Sequence, residues 1–209
     1  MEAKQKKSYT VPVLLVCIVI LAILCIMFYS TNLLNQQNEK SDRGMRLAEK
    51  YVFSQTYASL LREGAKQLLE ATSETDRLQA KEKLGEARFA SMEAVGLIGE
   101  ALRMKDGMTE EEAKPVKERL LSALYSPDSP LYSVGEHDGP LTDAERTMLA
   151  DIASGAAKAE EALGKFRAPS GVAGYRIMAG GGEWLDAVLE AKASLEEIAA
   201  AASKPILNP

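Results

Sequence analysis

The chain opens with one long apolar segment and continues with amphipathic ones. Residues 11–29 read VPVLLVCIVILAILCIMFY, nineteen positions without a charged side chain. A helix of this length rises roughly 28 Å at about 1.5 Å per residue, which is close to the hydrocarbon thickness of a bilayer. The pattern predicts a transmembrane helix over 11–29, with Tyr9 and Tyr29 at the two interfaces.

The ten residues before this segment form a basic leader that contains Lys4, Lys6 and Lys7. Because basic residues favour the cytoplasmic side, we expect residues 1–10 in the cytoplasm and residues 30–209 outside it. A cleaved or lipidated signal is the alternative, with Cys25 as the acylated residue. The apolar run is longer than a usual signal core, and Leu24 is not small, so an uncleaved signal anchor in the cell membrane is favoured.

A polar segment, residues 30–41, follows the apolar run and is either a juxtamembrane linker or a continuation of the same helix. Ser41 or Asp42 could cap a separate helix, and Gly44 weakens continuity. The bundle domain is predicted over 42–209. Its first helix carries a heptad-like stripe of apolar and small residues at alternating spacings of four and three, as in a coiled coil. The stripe consists of Leu47, Tyr51, Ser54, Ala58, Leu61, Ala65 and Leu68.

Cap signals divide the rest of the chain into further helices. The second helix is predicted to start after the candidate caps Thr72, Ser73 and Thr75 and to stop at Asp106 and Gly107. Thr109 and Glu112 form a capping box for a third, short helix, although Pro115 could move its regular part further along the chain.

A second capping box, Thr142 with Glu145, opens the fourth helix, and the last runs over 183–203. No strand pattern is present. The sequence therefore predicts an all-α fold, in which one N-terminal transmembrane helix is followed by an antiparallel bundle of four long helices and one short helix.

Composition narrows the classes of function. Thirty alanines and an aromatic content of 6% favour close-packed helices over a sheet-built core. The net charge of −5 argues against a nucleic-acid surface. One histidine and two cysteines, Cys17 and Cys25 inside the apolar segment, are too few for a Cys/His zinc site. We expect no metal and no cofactor.

Candidate chemistry is sparse. His137 lies between Glu136 and Asp138 in a glycine-flanked loop, which we interpret as a solvated turn before a helix cap. The chain contains no nucleophile elbow, phosphate loop or His-Glu-x-x-His motif, so an enzyme with catalytic residues is not expected.

Two functions compete for the exported bundle. The first is an interaction or scaffold module, in which a partner helix packs beside Leu47, Tyr51, Ala58 and Leu61. The partner would be another membrane or envelope protein, or a second copy in a homodimer. The alternative is the sensing or binding of a small ligand, in a pocket between helices near Trp184 and a glycine-rich loop that contains Gly180, Gly181 and Gly182. Trp184 itself shares a stripe with apolar residues and is expected to anchor the core.

This layout of one span followed by an exported helical bundle is similar to the extracytoplasmic sensor bundles of bacterial receptors. The resemblance is one of architecture alone. It departs at the C-terminus, where the apolar residues are too few to cross a membrane a second time.

Overall fold

The computed structural model describes residues 10–137 and 139–203, so the predicted leader up to Tyr9, Asp138 and residues 204–209 lie outside it. The described residues form seven helices and no strand, which confirms the all-α class. The first helix, α1 (Thr10–Glu70), is continuous over 61 residues and therefore roughly 90 Å long. The other helices are α2 (Glu74–Lys105), α3 (Glu110–Leu124), α4 (Pro130–Ser133), α5 (Asp143–Gly164), α6 (Val172–Ala179) and α7 (Glu183–Ala202).

The lower part of α1, which we define as residues 13–40, extends beyond the bundle. Its apolar residues from Val13 onward are exposed, and the helix is long and apolar enough to cross a membrane. Helix α1 then passes Ser41 and Gly44 without a break. Of the two alternatives for residues 30–41, the structure has the helix continuation.

Burial begins at Ser41, where α1 enters a bundle of antiparallel neighbours. Around the bundle, α1 contacts α2, α2 contacts α7, α7 contacts α5, and α5 contacts α1. Helix α3 packs against α2 and α7, and α6 packs against α1. We call the end that includes Gly44, α6 and the start of α7 the entry end. The opposite end, with the turn between α1 and α2, is the far end.

Capping boxes fix the starts of three helices. Ser73 forms a capping box with Asp76, and the boxes predicted at Thr109 and Thr142 are both present. The expectation that Pro115 delays α3 is wrong, because the helix begins at Glu110 and contains the proline. The cap at Thr109 therefore decides where this helix starts.

Two short helices lie where the sequence predicted connections. Helix α4 follows Ser129, whose hydroxyl accepts a hydrogen bond from the backbone N–H of Leu131. Helix α6 lies inside the glycine-rich segment 167–182, and its backbone meets α1 at Gly44. A Cβ at Gly44 would lie 1.8 Å from the carbonyl oxygen of Tyr175. The glycine that seemed to weaken α1 instead allows α6 to approach it closely.

Candidate interaction surface

The heptad-like stripe of α1 lies inside the bundle. The side chains expected to meet a partner helix are exposed by 3% or less, namely Leu47, Tyr51, Ala58 and Leu61. The Tyr51 hydroxyl also donates a hydrogen bond of 2.7 Å to the carbonyl oxygen of Leu163, which fastens α1 to the last turn of α5. A partner could reach this stripe only if the bundle opened.

The glycine-rich candidates form a connector at the entry end. Gly181 and Gly182 have φ values of 102° and 119°, so the chain turns through left-handed backbone between α6 and α7. Trp184 follows and is fully buried, with its indole N–H donating to the carbonyl oxygen of Met178 at 3.1 Å. The tryptophan is therefore a core residue that closes α7 onto α6, as its stripe predicted.

The centre of the bundle is nearly filled. A void of about 10 Å³ lies where α1, α2, α5 and α7 meet, and its lining is apolar apart from Ser54 and Tyr57. A void of this size holds at most about one water, whereas small-molecule pockets measure roughly 300–1,000 Å³. Tyr57 lines this void, and its buried hydroxyl has no hydrogen-bond partner among the residues that the structure describes.

The outer surface of the α1–α2 hairpin carries an exposed aromatic patch, which consists of Phe53, Phe89 and Met92. These side chains are 51%, 74% and 50% exposed. An ion pair between Lys50 and Glu93, with a nitrogen–oxygen distance of 4.0 Å, shows that these two residues lie at one level of the antiparallel helices. Phe53 lies about one turn after Lys50, and Phe89 about one turn before Glu93. Both aromatic side chains are therefore at one level of the hairpin.

Two glycines flank the aromatic patch on α2. Gly85, Phe89, Met92 and Gly96 follow one another at spacings of four, three and four, and so share one side of the helix. A Cβ at Gly85 would meet nothing within 4 Å. Glycine inside a helix costs about 1 kcal/mol relative to alanine, and the packing around Gly85 gives no reason for a glycine at this position. A shallow surface beside Phe89 is the result.

The far end contains a buried carboxylate that the sequence identified only as part of a capping box. Glu145 is 2% exposed. Its Oε2 accepts hydrogen bonds from the backbone N–H and the hydroxyl of Thr142, at 2.8 and 3.0 Å, and lies 2.8 Å from Nε2 of His137. Its Oε1 accepts a bond of 2.7 Å from the N–H of Gly135. The segment is a turn before a helix cap, as predicted, but the His137 ring lies against Glu145 and is only 33% exposed.

Burial alone would raise the pKa of Glu145, but the hydrogen bonds from His137, Gly135 and Thr142 outweigh it and lower that pKa to about 2. Because the four contacts occupy both carboxylate oxygens, the group is suited to holding the loop in place. A general base needs a free lone pair directed at a substrate. The histidine eight residues before Glu145 was the available sequence signal.

Two basic residues of α2 complete this end. Arg77 donates to the carbonyl oxygens of His137 and Gly139, and Lys81 contacts the carbonyl oxygen of Tyr132 and the carboxylate of Glu136. They line an open cleft of about 640 Å³. Their cationic groups are engaged by the chain itself. They therefore act as clamps on the loop.

Chemistry other than binding finds little support in the described ranges. Among them no group of three His, Cys, Asp or Glu side chains is placed to hold a metal ion. Comparison with protein-family models, with curated proteins and with solved structures finds no match to this chain. The aromatic patch is therefore the candidate functional site, on its exposure and geometry alone.

Proposed function

We propose that this protein is a single-pass membrane protein whose helical bundle is held outside the cytoplasm as an interaction or scaffold module. The apolar lower part of α1, exposed along its length, supports the anchoring. The lysines of the leader support a cytoplasmic N-terminus. The partner is another membrane or envelope protein, or a second copy of the chain.

The aromatic patch carries this proposal. Large apolar side chains clustered at one level of a folded surface are typical of protein contact sites, and aromatic residues dominate the binding energy of such sites. Phe53 and Phe89 project from α1 and α2, which the hydrophobic core holds together, so the surface is preformed. The small void in the core favours this function over ligand sensing.

Photo-crosslinking in intact membranes tests the site. A photoreactive residue in place of Phe89 should give an adduct with the partner, while the same residue in place of exposed Ala157 on α5 should not. Equal yields at the two positions, or no adduct at either, would contradict the proposal.

A matched pair of substitutions tests the energetics. Phe89 and Ile177 are both 74% exposed, but Ile177 lies on α6, away from the patch. Phe89→Ser should lower partner capture at least about tenfold, as expected for an aromatic anchor, whereas Ile177→Ser should leave it unchanged. Neither side chain is in the core, so both variants should keep the helical circular dichroism of the parent.

Protease protection tests the topology. Protease added to intact cells should degrade residues 30–209 of a tagged chain and spare a tag at the N-terminus. The reverse pattern would show the opposite orientation.

A further inference from the structure

An exposed apolar seam runs along α1 on the side away from the bundle core, and it is separate from the aromatic patch. The seam consists of Met27, Leu34, Asn38, Met45 and Val52. Met27 and Met45 are 18 residues apart, as are Leu34 and Val52, which is five turns of a straight α-helix. The four apolar members are all exposed, by between 39% and 61%. Because of these spacings, all five side chains point in nearly the same direction. The seam therefore extends from the apolar segment into the part of α1 that belongs to the bundle.

We infer that this seam packs against the same seam of a second copy, so that two chains in one membrane form a parallel, two-fold pair along α1. The inference rests on the proposed anchoring. Two copies inserted in one bilayer with the same orientation hold Leu34, Met45 and Val52 at the same heights, because α1 has no break. A two-fold axis along the membrane normal then brings each residue to its own counterpart.

The segment Ser30–Lys40 supports a second copy as the occupant. Over this length every residue of α1 except Gln37 is exposed, and its side-chain hydrogen bonds are local ones such as Thr31 to the carbonyl oxygen of Met27. Three asparagines, which are poor helix formers, lie in it. A short helix of this composition is marginal when it stands alone in water, and packing against a partner helix stabilises it.

Charge points to the same occupant. The chain is acidic overall, so two copies repel each other over most of their surfaces. The seam has no charged member, and residues 30–38 contain no charge at all. Asn38 is its one polar member. A single asparagine in an apolar helix contact typically fixes the register between identical helices.

Cysteine crosslinking of the full-length chain in native membranes tests the inference. In a background with Cys17→Ala and Cys25→Ala, Leu34→Cys is compared with Leu33→Cys. The two leucines are adjacent and both exposed, but they point about 100° apart, so they differ in direction and hardly in height. Mild oxidation should give disulfide-linked dimer at least about tenfold faster from Leu34→Cys. Asn38→Cys should behave like Leu34→Cys, and Gln36→Cys like Leu33→Cys.

Equal rates at Leu33 and Leu34, or no dimer from either, would overturn the inference. A second comparison avoids oxidation. Leu34→Glu places two like charges face to face and should abolish the dimer captured between differently tagged copies, whereas Leu33→Glu should keep it. The adduct formed from Phe89 is read independently, so an absence of dimer in the parent chain, together with that adduct, would reject the seam and keep the proposed function.

Discussion

The two ends of the bundle are held together by different kinds of interaction. At the entry end, the backbone of α6 lies against Gly44 of α1, in a contact that leaves no room for a side chain. At the far end, the loop before α5 is held by charged and polar groups around Glu145. One end depends on shape and the other on charge. The far end, whose carboxylate is buried, should therefore respond more strongly to acid than the entry end, whose ion pairs are exposed.

The largest effect is expected from Gly44→Ala. The new Cβ would fall 1.8 Å from the carbonyl oxygen of Tyr175 and 2.4 Å from its carbonyl carbon, so α6 must move away. Overpacking against backbone should cost about 3 kcal/mol or more of unfolding free energy, at any pH. Denaturant unfolding of the bundle measures it. Gly164→Ala is the control, because a Cβ there meets nothing within 4 Å, and an equal loss in both variants would contradict the close contact.

Glu145→Gln should have the next largest effect. A carboxyl whose pKa falls from 4.5 when unfolded to about 2 when folded contributes on the order of 3 kcal/mol near neutral pH. Because the folded pKa is the lower one, this stability is present above about pH 4.5 and is lost as the pH falls toward 2. The variant should be less stable at pH 7 and should lose less on acidification than the parent.

The control for that experiment is Glu112→Gln in the exposed capping box of α3. Its carboxylate accepts hydrogen bonds from the N–H and the hydroxyl of Thr109, as Glu145 does from Thr142, but water surrounds it. We expect a much smaller change in unfolding free energy. If the two variants behave alike, then burial and the contact with His137 add nothing.

A smaller difference should separate two core tyrosines. Tyr51→Phe removes the hydrogen bond to the carbonyl oxygen of Leu163 and should cost about 1 kcal/mol, since Gln55 still donates to that oxygen at 3.0 Å. Tyr57→Phe removes a buried hydroxyl that has no hydrogen-bond partner within residues 10–137 and 139–203, and should leave stability unchanged or raise it slightly. Paired denaturant melts measure both. A larger loss from Tyr57→Phe would reveal a partner for its hydroxyl.

The smallest effect is a gain. Gly85→Ala adds a methyl group where nothing lies within 4 Å, and should stabilise the bundle by about 0.5–1 kcal/mol. The same variant should weaken partner capture if a partner approaches α2 closely beside Phe89. A gain in stability with unchanged capture would confine the contact to the aromatic side chains.

Local signals predicted much of the fold. The capping boxes at Thr109 and Thr142 and the stripe that buries Trp184 depend on residues within a few turns, so the sequence alone reveals them. Helix α6 was missed because glycines interrupt its surroundings. It packs against α1 at Gly44, more than a hundred residues earlier in the chain, and a local pattern does not record that contact.

The candidate site was harder to predict. A periodic stripe such as that of Leu47 and Leu61 identifies which face is buried, but not whether the chain itself or a partner buries it. Phe53 and Phe89 each lie off the stripe of their own helix, and only the pairing of α1 with α2 brings them to one level. The contact of His137 with Glu145 likewise needs the closed loop.

The unbroken α1 fixes the direction in which the bundle faces as well as its height. Each residue removed between 30 and 40 should lower the bundle by about 1.5 Å and rotate it by about 100° relative to the apolar segment. Removing seven residues lowers it by about 10 Å and leaves its bearing within about 20° of the original. Removing five residues lowers the bundle by about 7.5 Å and rotates the aromatic patch by about 140°. The number of residues in this segment therefore sets both the height of the bundle and the direction in which the patch faces.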